Sequence, residues 1–322
     1  MTLRSLAAVA VVVALGASGC RASSPADTGG FDGIEIQGHR GARGLQPENT
    51  LPGFETALDL GVDTLELDMH LTADGVVVVW HDDTIGPDTC RLAAGADPSP
   101  PDPAERPRIS ELTAAQVAGY RCDRNPDPDR FPDQRPEPTA LAGDDYGIPT
   151  LAEVFEFVAR YAAASDKTAV QRERAAQVGY NIETKRDPAD PEAIGDRFDG
   201  TAPGAFELAV LAVVDAAGVA ERVTIQSFDH RSLWAIHAIR PEMDLAALTR
   251  RGDAPDFADL AAKGATIWSP DRRAVDAARV TAAHEAGLRV VPWTVDDLDE
   301  ARALVADGVD GLITDRPDRF TR

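Results

Sequence analysis

Acidic, basic and imidazole side chains stand in four short clusters along the sequence, each at the end of an apolar run. The clusters are His39-Arg40-Gly41, Glu66-x-Asp68, His81-Asp82 and Glu183-x-Lys185. Carboxylates bind hard divalent cations, and imidazoles exchange protons near neutral pH. If the fold brings the four clusters together, they favour acid–base chemistry on a substrate held beside a metal ion.

The carboxylates predict a metal site. Alternation along a strand places Glu66 and Asp68 on one face, where two buried carboxylates would repel each other unless a cation lay between them. Together with Glu183 they form an all-oxygen site, which suits Ca²⁺ or Mg²⁺ better than zinc. The alternative is that the three carboxylates are paired with basic side chains or solvated, although their apolar neighbours favour burial.

Two histidines, His39 and His81, fall at predicted strand ends beside these carboxylates. Two imidazoles near a phosphorus atom could act as general base and general acid. If residues 64–81 form a hairpin, one register places His81 opposite Glu66, and a slip of one residue turns it away. Both registers fit the sequence.

Arg40 and Lys185 place positive charge next to the predicted metal site. A transferring phosphoryl group needs cations around its equatorial oxygens, and these two side chains could supply them. Either side chain could instead be a structural partner of an Asp or Glu.

The elements that must position the clusters alternate between strand and helix. The predicted strands are Ile34–Gly38, Thr64–Met69, Val76–Trp80, Tyr180–Thr184, Val223–Ser227, Leu245–Thr249, Ala265–Ser269, Leu288–Thr294 and Gly311–Thr314. The predicted helices include Thr50–Leu60 (capped by Asn49 or Thr50, with Gly61 after its end), Leu151–Ala164, Ala205–Ala217 and Ala274–Ala286. This alternation predicts an α/β fold with a parallel sheet, and its length favours a (βα)₈ barrel with functional residues at the carboxyl ends of the strands.

Nine strand candidates are one too many for eight barrel positions. The link at residues 71–75 is too short for a helical crossover, so one unit lacks its helix or one strand lies outside the barrel. No G-x-G-x-x-G motif follows a strand, which weakens the dinucleotide-binding alternative.

Residues 83–147 interrupt the alternation. The stretch from Pro87 to Pro149 holds 12 of the 23 prolines, and the segment has one predicted helix, Ser110–Gly119, with Ser110 as N-cap. Long irregular segments are usually insertions or disordered, so a surface excursion is expected here. A Cys90–Cys122 disulfide is expected to close it, the alternative being two free thiols.

The first 20 residues are expected to be an export signal outside the fold. Arg4 precedes the apolar run Leu6–Leu15, which is too short to span a bilayer. The run ends in Ala17-Ser18-Gly19-Cys20, which resembles a bacterial lipobox with Cys20 as the acylated residue. An ordinary secretory signal is the alternative. Residues 21–33 are interpreted as a flexible tether before the barrel at 34–319, which predicts a cell-envelope lipoprotein or a secreted protein.

Overall charge limits the partners. The chain has 322 residues with 32 basic and 54 acidic side chains, a formal net charge of −22. This balance argues against nucleic acid and against docking on anionic lipid through a basic patch. A phosphate-bearing substrate would need a local cation to overcome the repulsion, and a divalent metal is the simplest candidate.

The ordered motifs resemble those of the glycerophosphodiester phosphodiesterase family across residues 34–319. Those motifs are His39-Arg40-Gly41, Pro47-Glu48-Asn49-Thr50, Glu66-Leu67-Asp68, Asp74-Gly75, His81-Asp82, Ile148-Pro149-Thr150-Leu151, Asn181-Ile182-Glu183-Thr184-Lys185, Gln226-Ser227-Phe228, Trp293-Thr294-Val295 and Thr314-Asp315-Arg316-Pro317. The resemblance implies an irregular (βα)₈ barrel of the phospholipase-C-like phosphodiesterase type with an insertion after His81. It also implies hydrolysis of glycerophosphodiesters to sn-glycerol 3-phosphate and an alcohol.

The resemblance further implies roles for individual residues. Glu66, Asp68 and Glu183 match the ligands of Ca²⁺ or Mg²⁺, and His39 and His81 match the acid/base pair. Arg40 and Lys185 match phosphate-binding residues, and Trp293 matches an aromatic residue that lines the glycerol site. In the implied mechanism the glycerol 2-hydroxyl attacks phosphorus, and water opens the resulting cyclic phosphate.

Two positions depart from the family pattern, Gln226 and Thr184, and neither is expected to touch the metal or histidine positions. Three other interpretations stay open. The protein could be a lysophospholipase D or sphingomyelinase D-like enzyme acting on lipid, or a non-catalytic lipoprotein that binds glycerophosphodiesters. The insertion could also dock a partner, although no specific protein partner is predicted.

Overall fold

Eight parallel strands form a nearly closed barrel in the computed structural model, which describes residues 30–320. The strands are β1 (Glu35–Gly38), β2 (Thr64–Leu71), β3 (Val77–Val79), β4 (Arg91–Leu92), β5 (Tyr120–Arg121), β6 (Gly179–Thr184), β7 (Val223–Ser227), β8 (Asp244–Thr249), β9 (Ile267–Pro270), β10 (Arg289–Val290) and β11 (Gly311–Thr314). The barrel order is β10-β9-β8-β7-β6-β2-β1-β11. Backbone hydrogen bonds from Asp310 to Val290 (2.9 Å) and from Ile313 to Pro292 (3.0 Å) connect the two ends.

One of the nine predicted strands, Val76–Trp80, lies outside the barrel, which was one of the two alternatives stated for the extra strand. It is β3, which pairs antiparallel with the end of β2, with Met69 opposite Val79. The intervening link is a tight turn rather than a helix, in which the backbone N–H of Gly75 donates to Thr72. The α/β barrel predicted from strand and helix alternation is therefore confirmed.

All but one of the helices cover the outer face of the barrel, and the exception, at residues 114–117, lies in the insertion. The helices are α1 (Leu51–Leu60), α2 (Ala114–Val117), α3 (Leu151–Ala163), α4 (Ala169–Gln177), α5 (Ala205–Ala217), α6 (His230–Ile239), α7 (Phe257–Ala262), α8 (Ala277–Glu285) and α9 (Leu298–Asp307). The Thr50 side chain caps α1, and Gly61 ends it in the left-handed region with φ 79°. Helix α5 has its predicted bounds, and α8 begins three residues after the predicted Ala274. No helix within residues 30–320 is long and apolar enough to cross a membrane.

The insertion is packed rather than disordered. Its apolar side chains form a second core outside the barrel, made of Val78, Trp80, Ile85, Cys90, Ile109, Leu112, Val117, Tyr120, Cys122 and Ile148. The Cys90–Cys122 disulfide is formed, as predicted. The predicted helix was wrong at its start: Thr113 caps α2 in a capping box with Gln116, while the Ser110 hydroxyl donates to the Glu192 carbonyl.

The predicted signal sequence, the lipobox at Cys20 and most of the tether lie outside the described residues. Phe31, from the end of the predicted tether, is buried and packs edge-to-face against Phe320, with ring centroids 5.1 Å apart. The folded part therefore begins no later than Phe31, three residues before the predicted start at residue 34.

Candidate active site

Three carboxylates from adjacent parallel strands meet at the carboxyl ends of β2 and β6. The register pairs Asp68 with Glu183, and strand alternation turns Glu66 to the same interior face. Their nearest ligand atoms all lie within 4.8 Å of one another, and all three residues are buried. The structure therefore brings together the three residues predicted to hold a cation and excludes their being solvated.

Neighbouring polar groups fix the orientation of these carboxylates. The backbone N–H of Arg40 donates to Glu66 Oε2 (2.9 Å), and the Gln226 side-chain amide donates to Glu66 Oε1 (2.8 Å). The Asn49 amide donates to Asp68 Oδ2 (2.9 Å). Gln226 was expected to stand clear of the metal position, and that expectation was wrong. Because β7 pairs with β6 with Gln226 beside Glu183, the side chain is directed into the same interior layer.

The donor set fits a hard divalent cation. Among the described residues no group donates a hydrogen bond to Asp68 Oδ1, which is buried with Lys185 Nζ 3.5 Å away. Burial, with Asp68 and Glu183 close by, raises the pKa of Glu66 well above its usual value. A cation bound among these oxygens would relieve both the desolvation and the mutual repulsion. Glu66, Asp68 and Glu183 are thus the residues that could hold Ca²⁺ or Mg²⁺.

Arg40 and Lys185 border the carboxylate cluster. The Arg40 guanidinium lies 2.8 Å from Glu48 and 3.3 Å from Asp68, and Lys185 Nζ lies 2.8 Å from Glu183 and 3.5 Å from Asp68. Burial opposes ionisation of Asp68, but the two cations hold its pKa well below its usual value. Both side chains are therefore paired with carboxylates and also line the cavity, so the two predicted roles are compatible.

Backbone conformation directs Arg40 toward two groups at once. Arg40 has φ +52°, in the left-handed region that residues other than glycine seldom occupy, and Gly41 follows with φ +88°. In this turn the Arg40 N–H points to Glu66 while its side chain reaches Asp68. A Cβ on Gly41 would lie 2.7 Å from the Gly53 backbone, which explains the glycine.

His39 is held by a buried aspartate. Its Nδ1 lies 2.5 Å from Asp315 Oδ1, and its Nε2 lies 3.9 Å from Glu66 Oε2. Burial lowers the pKa of His39, although Asp315 opposes the effect. Burial would raise the pKa of Asp315, but His39 and the nearby arginines lower it to about 2. His39 is therefore a neutral imidazole near pH 7, with its Nδ1 engaged by a carboxylate and its Nε2 facing the site.

The hairpin adopts the second of the two predicted registers, slipped by one residue, yet His81 still lines the cavity. In the observed register Met69 faces Val79, and Trp80 N–H donates to Asp68 O, which would set Leu67 rather than Glu66 opposite residue 81. The strand ends at Val79, so His81 leaves the ladder and lines the cavity from the following bend. Its Nδ1 lies 2.6 Å from Asp82, and its side chain is 30% exposed.

An aromatic pair forms another part of the wall. Trp293 and Phe228 stack edge-to-face with centroids 5.6 Å apart, and the Trp293 indole N–H donates to the Ser269 carbonyl (3.0 Å). The cavity has a volume of about 210 Å³, and it is lined by His39, Arg40, Arg43, Glu66, His81, Arg130, Glu183, Lys185, Gln226, Phe228, Leu248, Trp293, Thr294 and Ile313. Such a space accommodates a small polar molecule rather than a macromolecule.

Sequence reasoning gave several residues of this site no role in the site itself. Asp315 and Asn49 both stand in the motifs quoted above. The signal that could have identified them was their position: Asp315 comes directly after a strand, and Asn49 comes directly before a helix cap. Arg130 comes from the insertion, and nothing in its neighbourhood along the sequence pointed to the barrel.

Comparisons with known proteins agree with this geometry. The model of the Glycerophosphoryl diester phosphodiesterase family matches residues 39–319. A glycerophosphodiester phosphodiesterase of Caldanaerobacter subterraneus subsp. tengcongensis is 28% identical over 284 residues, covering 87% of this chain and 93% of that protein. The crystal structure of a putative glycerophosphoryl diester phosphodiesterase from Silicibacter pomeroyi is 28% identical with a TM-score of 0.71, covering 90% of this chain and 95% of that one. A lysophospholipase D of Rattus norvegicus is 34% identical over 118 residues, covering 37% of this chain and 31% of that protein.

Proposed function

The chain belongs to the glycerophosphodiester phosphodiesterase family, and from that membership we propose that it hydrolyses glycerophosphodiesters with a divalent cation held by Glu66, Asp68 and Glu183. The products are sn-glycerol 3-phosphate and an alcohol. The observation that carries the proposal is the meeting of three buried carboxylates within 4.8 Å of one another, two of which, Glu66 and Glu183, line one small cavity with two imidazoles.

The chemistry of the donors favours Ca²⁺ or Mg²⁺ as the cation, because every available ligand is an oxygen. When bound, such an ion would neutralise negative charge on the phosphoryl oxygens. Arg40 and Lys185 hold those oxygens from either side of the carboxylates. The fixed positions of Glu66 and Asp68, each hydrogen-bonded by a neighbouring residue, keep the site ready without rearrangement.

His39 and His81 move the protons. The Nδ1–H of His39 donates to Asp315, so Nε2 is free to accept the proton of the glycerol 2-hydroxyl as that oxygen attacks phosphorus. His81 donates a proton to the departing alcohol oxygen, and a five-membered cyclic phosphate forms. In the second step a water molecule loses a proton to His81 and attacks phosphorus, while His39 returns its proton to the 2-oxygen as the ring opens.

The glycerol end of the substrate packs beside Trp293 and Phe228. Their edge-to-face contact presents a rigid apolar surface, and the indole N–H is already committed to Ser269. Only the carbon face of the glycerol unit is suited to such a wall, which leaves its hydroxyl groups directed toward the polar centre of the cavity.

The test is hydrolysis of glycerophosphocholine by residues 21–322, measured as release of glycerol 3-phosphate. EDTA should abolish turnover, and Ca²⁺ or Mg²⁺ should restore it. Glu66→Gln and His39→Ala should each reduce turnover at least about a thousandfold while the variants keep a cooperative unfolding transition. Lys263→Gln, which removes an exposed cation directly after the end of α7, is the matched control. Full activity in either site variant would overturn the proposal.

A second candidate function is removal of the headgroup from lysophospholipids, and the match to a lysophospholipase D favours it. The same three carboxylates and two imidazoles would serve that reaction. Hydrolysis of lysophosphatidylcholine without hydrolysis of glycerophosphocholine would select this alternative. The non-catalytic binding protein is disfavoured, because both imidazoles line the cavity.

Export and lipid anchoring are part of the same proposal. The disulfide between Cys90 and Cys122 suits an oxidising compartment outside the cytoplasm, in agreement with the apolar run and Cys20 at the start of the chain. Labelling of cells with a radioactive fatty acid should mark the full-length protein. The Cys20→Ser variant should lose the label. If the wild-type protein is not labelled, lipid anchoring is refuted and the ordinary secretory signal is the remaining interpretation.

A further inference from the structure

Residues 130–135 of the insertion pack against loops at the carboxyl ends of the barrel strands, next to the catalytic cavity. The Gln134 amide donates to the Arg43 carbonyl (2.7 Å), and the Arg135 N–H donates to the Leu45 carbonyl (2.9 Å). Asp133 forms an ion pair with Arg316 at 2.8 Å. These contacts hold the preceding residue pair, Arg130-Phe131, against the loop that follows β1.

Two guanidinium groups lie against the ring of Phe131. Phe131 is buried, with Arg43 at 4.6 Å and Arg130 at 4.8 Å from its ring centroid. One arginine follows β1, and the other comes from the insertion, so two cations from distant parts of the sequence converge on one aromatic support. Holding like charges together is unfavourable unless an anion is bound between or beside them.

Arg130 is the most exposed of the four cations that line the cavity. Arg40 and Lys185 each contact two carboxylates, and Arg43 pairs with Glu48. Within residues 30–320, the one carboxylate that pairs with Arg130 is Asp315, at 3.2 Å, and the other oxygen of Asp315 is occupied by His39. The Arg130 side chain is 51% exposed at the cavity mouth, so its remaining N–H groups are available to a ligand.

We propose that Arg130 and Arg43 form a subsite for a second negative charge, carried by the alcohol portion of the substrate. This inference rests on the proposed function, in which Arg40, Lys185 and the bound cation serve the single charge of the phosphodiester and the aromatic pair serves its glycerol. The ligand chemistry that fits two guanidinium groups is a carboxylate or a phosphate. The enzyme therefore prefers phosphodiesters of acidic alcohols over those of neutral or cationic alcohols.

The test compares glycerophosphoserine with glycerophosphoethanolamine, which differ by one carboxylate. The wild-type full chain should have a kcat/KM about tenfold higher for glycerophosphoserine, the value of a partly exposed charge-assisted hydrogen bond. Arg130→Gln should bring the ratio close to one by lowering kcat/KM for glycerophosphoserine, and Arg130→Lys should keep most of it. Arg106→Gln, which removes an exposed arginine elsewhere in the insertion, should leave the ratio unchanged.

Three results would overturn the subsite. They are a wild-type enzyme without preference, an Arg130→Gln variant that keeps the preference, and an equal loss on both substrates. Equal loss would instead make Arg130 a positioning residue that acts through Asp315. Failure of the wild-type enzyme to hydrolyse either substrate would refute the proposed function itself, which keeps the two failures distinct.

Discussion

Replacing Asp315 with Asn should impair both catalysis and acid-dependent stability, and the two effects have one origin. The buried carboxylate accepts the Nδ1–H of His39 at 2.5 Å, and its pKa is about 2 rather than 3.8. At about 1.4 kcal/mol for each pKa unit, its interactions with His39 and the nearby arginines favour the ionised form by about 2 kcal/mol. The neutral amide of Asn can still accept a hydrogen bond, but it cannot supply this charge.

The catalytic consequence concerns the imidazolium that forms when His39 accepts a proton. Losing about 2 kcal/mol of stabilisation from that state should lower kcat roughly thirtyfold. Asp315 also opposes the lowering of the His39 pKa, so the Asp315→Asn variant should have a still lower His39 pKa. The acidic limb of its kcat/KM profile should therefore move to lower pH.

The stability consequence follows from the same pKa. A carboxyl group whose pKa is lower in the folded protein stabilises it above the unfolded value, and this contribution is lost as the pH falls from about 3.8 to about 2. Urea unfolding should show the Asp315→Asn variant about 2 kcal/mol less stable than wild type at pH 7, with the difference shrinking at pH 3.

The assay is glycerophosphocholine hydrolysis with saturating metal, followed by urea titrations at the two pH values. Asp299→Asn, whose carboxylate is 92% exposed on α9, is the control and should match wild type in both. An Asp315→Asn variant with wild-type kcat, or with a stability difference that does not change with pH, would refute the reasoning.

Three further predictions concern stability. Metal-free wild type should lose stability as the pH rises through the raised pKa of Glu66, whereas metal-free Glu66→Gln should not. Calorimetry from pH 5 to 9 would check this. Parallel curves of stability against pH for the two proteins would contradict it. Lys167→Met leaves Glu55 buried without its cation and should lower the free energy of unfolding in urea by about 3–5 kcal/mol. Adding Glu55→Gln should recover part of this loss. A Lys167→Met variant as stable as wild type would contradict the pairing. Cys90→Ser removes the disulfide, which joins residues 32 positions apart, and should lower the free energy of unfolding by about 3–4 kcal/mol. Unchanged unfolding would show that the core of the insertion stabilises it without the disulfide.

Local rules of the sequence were sufficient for the bounds of α1 and α5 and for the carboxylate face. Thr50 and Gly61 bound α1 as cap and terminator, because both roles depend on backbone groups within a few residues. Glu66 and Asp68 share a face because strand periodicity is two. The start of α2 at Thr113 rather than Ser110 shows the limit, since both residues are competent caps and packing of the insertion selected one.

Long-range contacts had no comparable local signal. Gln226 donates to Glu66 across 160 residues of sequence, and Arg130 pairs with Asp315 across 185. Both contacts depend on the order of strands around the barrel and on where the insertion is fastened. The position of His81 depends on where β3 stops, which is set by the packing of the insertion beneath it rather than by hairpin register alone.

The sequence by itself determined the fold class and the shared face of Glu66 and Asp68, because periodicity and capping are properties of neighbouring residues. The tertiary structure alone decided which distant groups contact one another: Asp315 with His39, Gln226 with Glu66, and two arginines with the ring of Phe131. The physical reason is that electrostatic and hydrogen-bonding interactions act over a few ångströms in space, and only closure of the barrel makes distant residues neighbours.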